Sequence, residues 1–386
     1  MAQTDEDDLY IPIDNTPTGD AAYNESDIVT LSWNEHIRQR PGMYISQLGD
    51  GTMPDDGIYV LFKEVMDNSI DEFVMGFGRR IDVQIADGRV SVRDYGRGIP
   101  LGKLVDASSK MNTGARFGSD AFKKSVGLNG VGIKAVNAMS VEFVIRCVRD
   151  GNMKEVVYSK GELVSETPVT PTTEENGTFV SFVPDASLFQ NYRFIDEFII
   201  HRIKNYTYLN IGLSIFYNNK RYYSKNGLID LLNDSMTGDS IYPVLHFKTD
   251  DAEIAVTHAR QYGEEYYSFV NGQHTIQGGT PLTAFKDAYT RTVKDFYGRN
   301  FEPSDIRNGI VAAISVRVQD PLFDSQAKVK LTGRDMMPDG PTIAKYLGDF
   351  IKRDLDNTLH RERELADALL KQIQESERER KSMAGV

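Results

Sequence analysis

Cysteine is nearly missing. Cys147 is the one thiol in 386 residues, which excludes an intramolecular disulfide and a cysteine-cluster zinc site. The six histidines are scattered without ligand spacing. No apolar run is long enough to span a bilayer and there is no secretory leader, so the expected compartment is the cytoplasm, with no membrane partner. Basic charge is in deficit: 44 Lys and Arg against 56 Asp and Glu leave a net charge of −12. Such a chain does not coat nucleic acid by bulk charge, so any DNA contact needs a local basic patch or another domain. No GxxxxGK[ST] string occurs, which excludes a P-loop.

The length suggests about two domains. An apolar share of 40% with 26% charged residues suffices for a sizeable core in each. The expected division is a flexible N-terminal arm over 1–27, a first domain over 28–238 and a second over 239–386. The arm is acidic, but Tyr10, Ile11 and Ile13 form an apolar cluster suited to docking on a partner.

The organising stretch is VLFKEVMDNSIDEF, residues 60–73. Leu61, Val65, Ile70 and Phe73 fall roughly on one helical face. Glu64 and Asn68 lie four apart on another, so both can point into one cavity. A carboxylate can activate water, and a carboxamide oxygen suits Mg²⁺. Taken alone, such a helix is more often amphipathic with a solvated acidic face.

RIDVQIA and RVSVRDY both alternate apolar and polar residues around Asp87-Gly88, predicting a hairpin. Its second strand ends on Asp94, just before GRGIP. A carboxylate there can accept a hydrogen bond from an exocyclic amine, and the glycines let backbone approach a flat ligand. Residues 101–126 lack a clean period and read as a lid-like loop. GLNGVG (127–132) then opens a helix and offers N–H groups suited to phosphate. No strand directly precedes it, which argues against a Rossmann site. Thr178 stands in the strand GTFVSFV. Further on, strands over 253–260 and 265–270, a helix over 282–297 and a long apolar strand over 306–318 suggest a βαβ unit. Lys328 sits in a polar loop, where a lysine is most often solvated. Residues 342–383 read as one charged, stalk-like helix.

Together these motifs resemble one family. RQRPGMYI (38–45), EVMDNSIDE (64–72), VRDYGRGIP (92–100), GLNGVGIKAVNA (127–138), GTFVSF (177–182), SFVNGQHTIQGGT (268–280) and QDPLFDSQAK (319–328) are similar, in order, to the N-terminal ATPase fragment of the B subunit of bacterial type IIA DNA topoisomerases. QDPLF looks nearer to topoisomerase IV than to gyrase. The first four motifs alone place the chain in the wider superfamily that includes Hsp90, MutL and sensor histidine kinases.

The resemblance implies an α+β chain: a GHKL (Bergerat) ATPase α/β sandwich, then a transducer domain of ribosomal protein S5-like fold with a long C-terminal helix. It implies that Glu64 is the general base, Asn68 the Mg²⁺ ligand and Asp94 the reader of adenine. Arg97 and Glu72 would close the side of the base pocket, and Gly98 and Pro100 would line it. Thr178 would join the adenine network. Gly114 and the loop of Gly127, Leu128, Asn129, Gly130, Val131 and Gly132 would meet the phosphates. Gln326 and Lys328 would reach the γ-phosphate from the second domain. ATP and Mg²⁺ are the implied cofactors. The implied partners are a second copy of the chain, a DNA-cleaving A subunit, double-stranded DNA and the family's ATP-competitive inhibitors.

The chain departs from the family at Ala327, usually threonine; at Phe122, often a tyrosine bonded to ATP; and at Tyr95, Asn129 and Arg116. The metal-binding domain used in DNA cleavage is missing, so an N-terminal fragment is expected that hydrolyses ATP and dimerises but does not cut DNA. A chaperone or mismatch-repair clamp on the same fold, and a non-hydrolysing nucleotide-gated dimerisation module, remain as alternatives.

Overall fold

The computed structural model describes residues 27–111, 113, 130–325 and 328–384. Trp33–Val386 form one compact unit, and every element below lies in it. Helix α1 (Trp33–Gln39) stops before Pro41, and α2 (Gly42–Ile45) restarts after it. This is the break expected of Pro-Gly. Helix α3 (Gly57–Val74) buries Ile58, Leu61, Phe62, Val65, Met66 and Ile70 at spacings of three and four. Gly76, with φ of 91°, turns the chain out of it.

The predicted hairpin is present as β1 (Arg80–Ala86) and β2 (Arg89–Asp94), paired from Ile81↔Asp94 to Ala86↔Arg89. Asp87 and Gly88 both take left-handed φ, 51° and 75°. Two such residues give a turn whose twist matches the strands. The expected irregular stretch after Pro100 is partly ordered: a 3-10 turn (Leu101–Lys103) runs into α4 (Leu104–Ser109). Tertiary burial of Leu104 and Ser108 supplies what the sequence period lacked.

After α5 (Gly132–Ala138) come β3 (Ser140–Arg149), β4 (Asn152–Ser159), β5 (Glu162–Glu166), β6 (Thr170–Pro171), β7 (Gly177–Pro184) and α6 (Asp196–Leu209). A second hairpin follows, β8 (Ser214–Tyr217) and β9 (Lys220–Tyr222), turned by Asn218 and Asn219 at positive φ. Helix α7 is Leu228–Ser235. The sheet runs β5-β4-β3-β7-β2-β1-β8-β9, with β6 beside β4. Only β1 and β8 pair in parallel among the described strands of this sheet. Helices α1, α3, α5 and α6 pack with it around one core.

The second sheet holds β10 (Leu245–Lys248), β11 (Ala252–His258), β12 (Glu265–Val270) and β13 (Gln273–His274), followed by α8 (Thr280–Tyr297), α9 (Pro303–Arg307) and β14 (Ile310–Val316). Its order is β10-β11-β14-β12-β13. Strands β12 and β14 are parallel and joined through α8, as a βαβ unit requires. The strand is shorter than the expected 306–318 because α9 takes its first residues.

Alternate residues of β14 feed two cores. Ile310, Ala312, Ile314 and Val316 face one, and Val311 and Ala313 face another that includes Leu228, Leu231 and Leu232 of α7. Thus α7 seals the back of the second sheet. The expected single stalk is two helices, α10 (Ile343–Arg361) and α11 (Arg363–Ala384), broken at Glu362. Leu347, Phe350, Ile351, Leu355, Leu359, Leu369 and Ile373 are buried in the second core, so these helices pack as part of the domain. The break lets the second helix fold along α9, where Arg380 meets Asp305 at 2.9 Å.

Candidate active site

Asp94 ends β2 deep in the first core, 5% exposed. Its Oδ1 accepts from the backbone N–H groups of Gly96 at 2.9 Å and Thr178 at 3.1 Å, and its Oδ2 from the Ser69 hydroxyl of α3 at 3.2 Å. Burial outweighs these donors and pushes the carboxyl up to about 6. The surrounding glycines are required sterically. A side chain at Gly177 would stand 2.1 Å from the Asp94 carbonyl, and one at Gly98 would stand 2.5 Å from that of Val148. Gly98 also takes a φ of 73°. Thr178 Oγ1 lies 3.6 Å from the buried Cys147 thiol, which donates to it.

At the rim, Arg97 grips Glu72 with its side chain at 2.8 and 3.1 Å and with its backbone N–H at 2.9 Å. The guanidinium also lies 4.4 Å from the Phe77 ring centre. Pro100 is exposed at the same edge. Tyr95 points to the other face, where its hydroxyl donates to Asp82 at 2.7 Å. Alternation along the strand turns it away from Asp94.

Glu64, one-and-a-half turns before Ser69 on α3, lies against the start of α5. A side chain at Gly132 would stand 1.8 Å from its Oε2. The carboxylate therefore occupies the room left by that missing Cβ, beside Gly130 and Val131. Asn68 is exposed on the same helix and donates from Nδ2 to the Glu64 carbonyl at 3.0 Å. A carboxamide oxygen suits Mg²⁺, which usually takes only one or two protein ligands beside phosphates and water. Among the described residues no cluster of three or more His, Cys, Asp or Glu could hold a metal by itself.

Several residues that matter here escaped the motif reading. Lys134 is 1% exposed and donates to the carbonyls of Thr113 and Gly130, both at 2.6 Å. It ties together the two positions that flank residues 114–129. Asp67, also 1% exposed, accepts from Lys63 at 2.9 Å, Tyr206 at 2.6 Å and Gln273 at 2.9 Å. Gln273 comes from the second sheet, 206 positions away. Burial opposes ionisation of Asp67, yet the charges of Lys63 and Lys328 hold its carboxyl below the ordinary range. Lys328 is thus 4% exposed, against the solvated side chain expected of a polar loop. The acidic position between Glu64 and Asn68 was visible, and so was Lys63 one turn before it, but Tyr206 and Gln273 are too distant in sequence to infer.

The geometry brings Glu72, Asp94, Arg97, Gly98 and Thr178 together at the end of β2, sets Glu64 against Gly132, and brings the charge of Lys328 to the same helix through Asp67. Gly114, Gly127, Leu128, Asn129 and Gln326 lie outside the described residues, as do Arg116, Phe122 and Ala327.

Residues 54–187 match the family of histidine kinase-, DNA gyrase B-, and HSP90-like ATPases. Residues 219–384 match the DNA gyrase B family. The B subunit of DNA topoisomerase 4 from Borreliella burgdorferi is 43% identical over 365 residues, covering 94% of this chain and 60% of that protein. The B subunit of DNA gyrase from Thermotoga maritima is 31% identical, covering 86% of this chain and 57% of that protein. The chain therefore spans well under two thirds of these curated relatives. The 43K ATPase domain of Thermus thermophilus gyrase B, solved with an aminocoumarin, aligns with a TM-score of 0.69 at 26% identity, covering 92% of this chain and 98% of that one.

Proposed function

We infer, for a chain that belongs to the B-subunit family of type IIA DNA topoisomerases, an ATP-binding and ATP-hydrolysing gate built on the GHKL fold. The higher identity to a topoisomerase IV relative than to a gyrase relative favours the former. The observation that carries the reading is the division of α3. One helix presents Ser69 to a buried carboxylate at the end of β2, Glu64 to a side-chain-free helix start, and Asp67 to the second sheet.

Asp94 is the adenine reader in this proposal. Its acceptor oxygens are fixed by backbone and hydroxyl donors, so an exocyclic amine meets a site that needs no reorganisation. Arg97 and Glu72 wall the open side, with Pro100 and Gly98 beside them, and Thr178 completes the network. Gly130, Val131 and Gly132 offer backbone to the phosphates. Gly114, Gly127, Leu128 and Asn129 share that role by resemblance, as Gln326 does with Lys328 at the γ-phosphate. Glu64 orients the attacking water and accepts its proton. Asn68 would hold Mg²⁺, which supplies charge neutralisation at the phosphates. Phosphoryl transfer depends mostly on such positioning and charge stabilisation. Lys328 reports phosphate occupancy to the second domain.

ATP would bring two copies together, with the arm over 1–27 embracing the partner, and the closed pair would capture a DNA segment for an A subunit that cleaves it. The domain division at about residue 238 belongs to this proposal. So do a cytoplasmic location and sensitivity to ATP-site inhibitors, the aminocoumarin class included. No helix among the described residues is long and apolar enough to cross a membrane.

Glu64→Ala tests the mechanism. A general base is worth about 10²–10⁴-fold, so turnover should fall by that factor while a non-hydrolysable ATP analogue still binds. Wild-type turnover in the variant would refute the assigned chemistry.

A further inference from the structure

Asp67 is a buried carboxylate on α3, three residues after Glu64 and one before Asn68. It has two kinds of partner. Lys63 and Tyr206 belong to the first core region. Gln273 belongs to β13, at the edge of the second sheet. Gln273 does not stand alone. Just beyond it, the backbone N–H of Gln277 donates to the Val329 carbonyl at 3.0 Å, and Gly279 bridges to Leu331. A side chain at Gly279 would stand 2.3 Å from the Leu331 carbonyl, so the two segments need this glycine to lie together. The residues after β13 and the segment just after Lys328 are therefore one backbone-tied unit. Whatever holds Gln273 also holds that unit.

We propose that Asp67 is a positioning residue for Lys328. Its carboxylate clasps Gln273, and through it seats the Lys328 loop on the helix that carries Glu64 and Asn68. The charge is matched to the task. Lys328 is 4% exposed and takes a left-handed φ of 57°. An ammonium taken that far out of water needs a fixed negative partner. Lys63 competes for the same carboxylate and lies 3.6 Å from Glu64, so it links Asp67 to the reaction side of α3. An Asp at this position gives the helix one acid on each side: Glu64 toward the phosphate end and Asp67 toward the second domain. Domain angle and the reach of Lys328 are thereby fixed by one rigid element.

The test is lysine acylation of the nucleotide-free full chain, read site by site by mass spectrometry. Asp67→Asn keeps the shape of the side chain and removes its charge. Lys328 should then acylate about tenfold faster as its segment opens locally, while Lys154 and Lys286, remote on other elements, keep their wild-type rates. Gln273→Ala, which leaves the charge, should release Lys328 in the same selective way. It decides the matter if the Asn variant fails to fold. Unchanged Lys328 labelling in the folded variants, or an equal rise at all lysines, overturns the proposal. A kinetic arm rests on the hydrolysis reading above: kcat for ATP should fall about tenfold in Asp67→Asn with KM within about threefold. Loss of ATP affinity with kcat intact would also overturn it. A wild-type chain without turnover defeats the hydrolysis reading and leaves the labelling result to decide the role of Asp67.

Discussion

At the residue scale, Asp94 is held in conflict. Its surroundings donate hydrogen bonds to a charged carboxylate, yet burial raises its pKa from 3.8 to about 6. A carboxyl raised in the folded state contributes stability below its unfolded pKa and loses it as pH rises through the folded value. At neutral pH the ionised form therefore costs the fold about 3 kcal/mol. An amine donor from a ligand offsets part of that cost. Asp94→Asn should melt no lower than wild type at pH 7.5, while ATP affinity drops by an amount of order 1–3 kcal/mol. Calorimetric titration and thermal melts check both halves. A variant that melts far lower and binds ATP normally would make Asp94 a structural residue.

At the element scale, the meeting of α3 and α5 depends on one missing methyl. A Cβ on Gly132 would stand 1.8 Å from Glu64 Oε2, the far end of a flexible side chain. In Gly132→Ala the carboxylate should swing aside at little cost, because alanine suits a helix better than glycine. Stability should change by less than about 1 kcal/mol, and turnover should fall toward that of Glu64→Ala. Unaltered turnover would mean that the present position of Glu64 is not the one used. Local elements of this kind were largely legible. The β1–β2 turn, the face of α3 and the glycine entry to α5 follow from residues close in sequence. Other elements were not. Helix α4 forms where no period is visible, because Leu104 and Ser108 are buried by neighbours. The long terminal helix breaks at Glu362, and the apolar residues of both halves are buried in the second core.

On the scale of the whole molecule, the second core contains a titratable group held neutral. His258 is buried between the Tyr242 hydroxyl at 2.6 Å and the Ile306 carbonyl at 2.8 Å. The carbonyl requires a proton on Nε2, so Nδ1 accepts from the tyrosine. Burial lowers this imidazole to about 4. A depressed histidine contributes stability above its unfolded pKa of 6.5 and loses it as pH falls through the folded value. Between pH 6.5 and 4 the chain should lose about 3 kcal/mol through this group. Asp94 works in the opposite direction over much of that range, so the comparison is best made in an Asp94→Asn background. Denaturant midpoints measured from pH 7 to pH 4 should fall, and His258→Gln should flatten the curve. An equal slope in the variant would assign the acid sensitivity elsewhere.

The sequence by itself determined the motif order, the hairpin that delivers Asp94 and the helix that pairs Glu64 with Asn68. These depend on neighbours within a few residues, where periodicity and turn chemistry act directly. Only the tertiary structure decided that Lys328 is buried, that Asp67 rather than Glu64 meets Gln273, and that Lys134 ties Thr113 to Gly130. Each of those contacts joins a side chain to a backbone or carboxylate brought close by packing. Local pattern carries no information about which of several polar side chains packing will bury together.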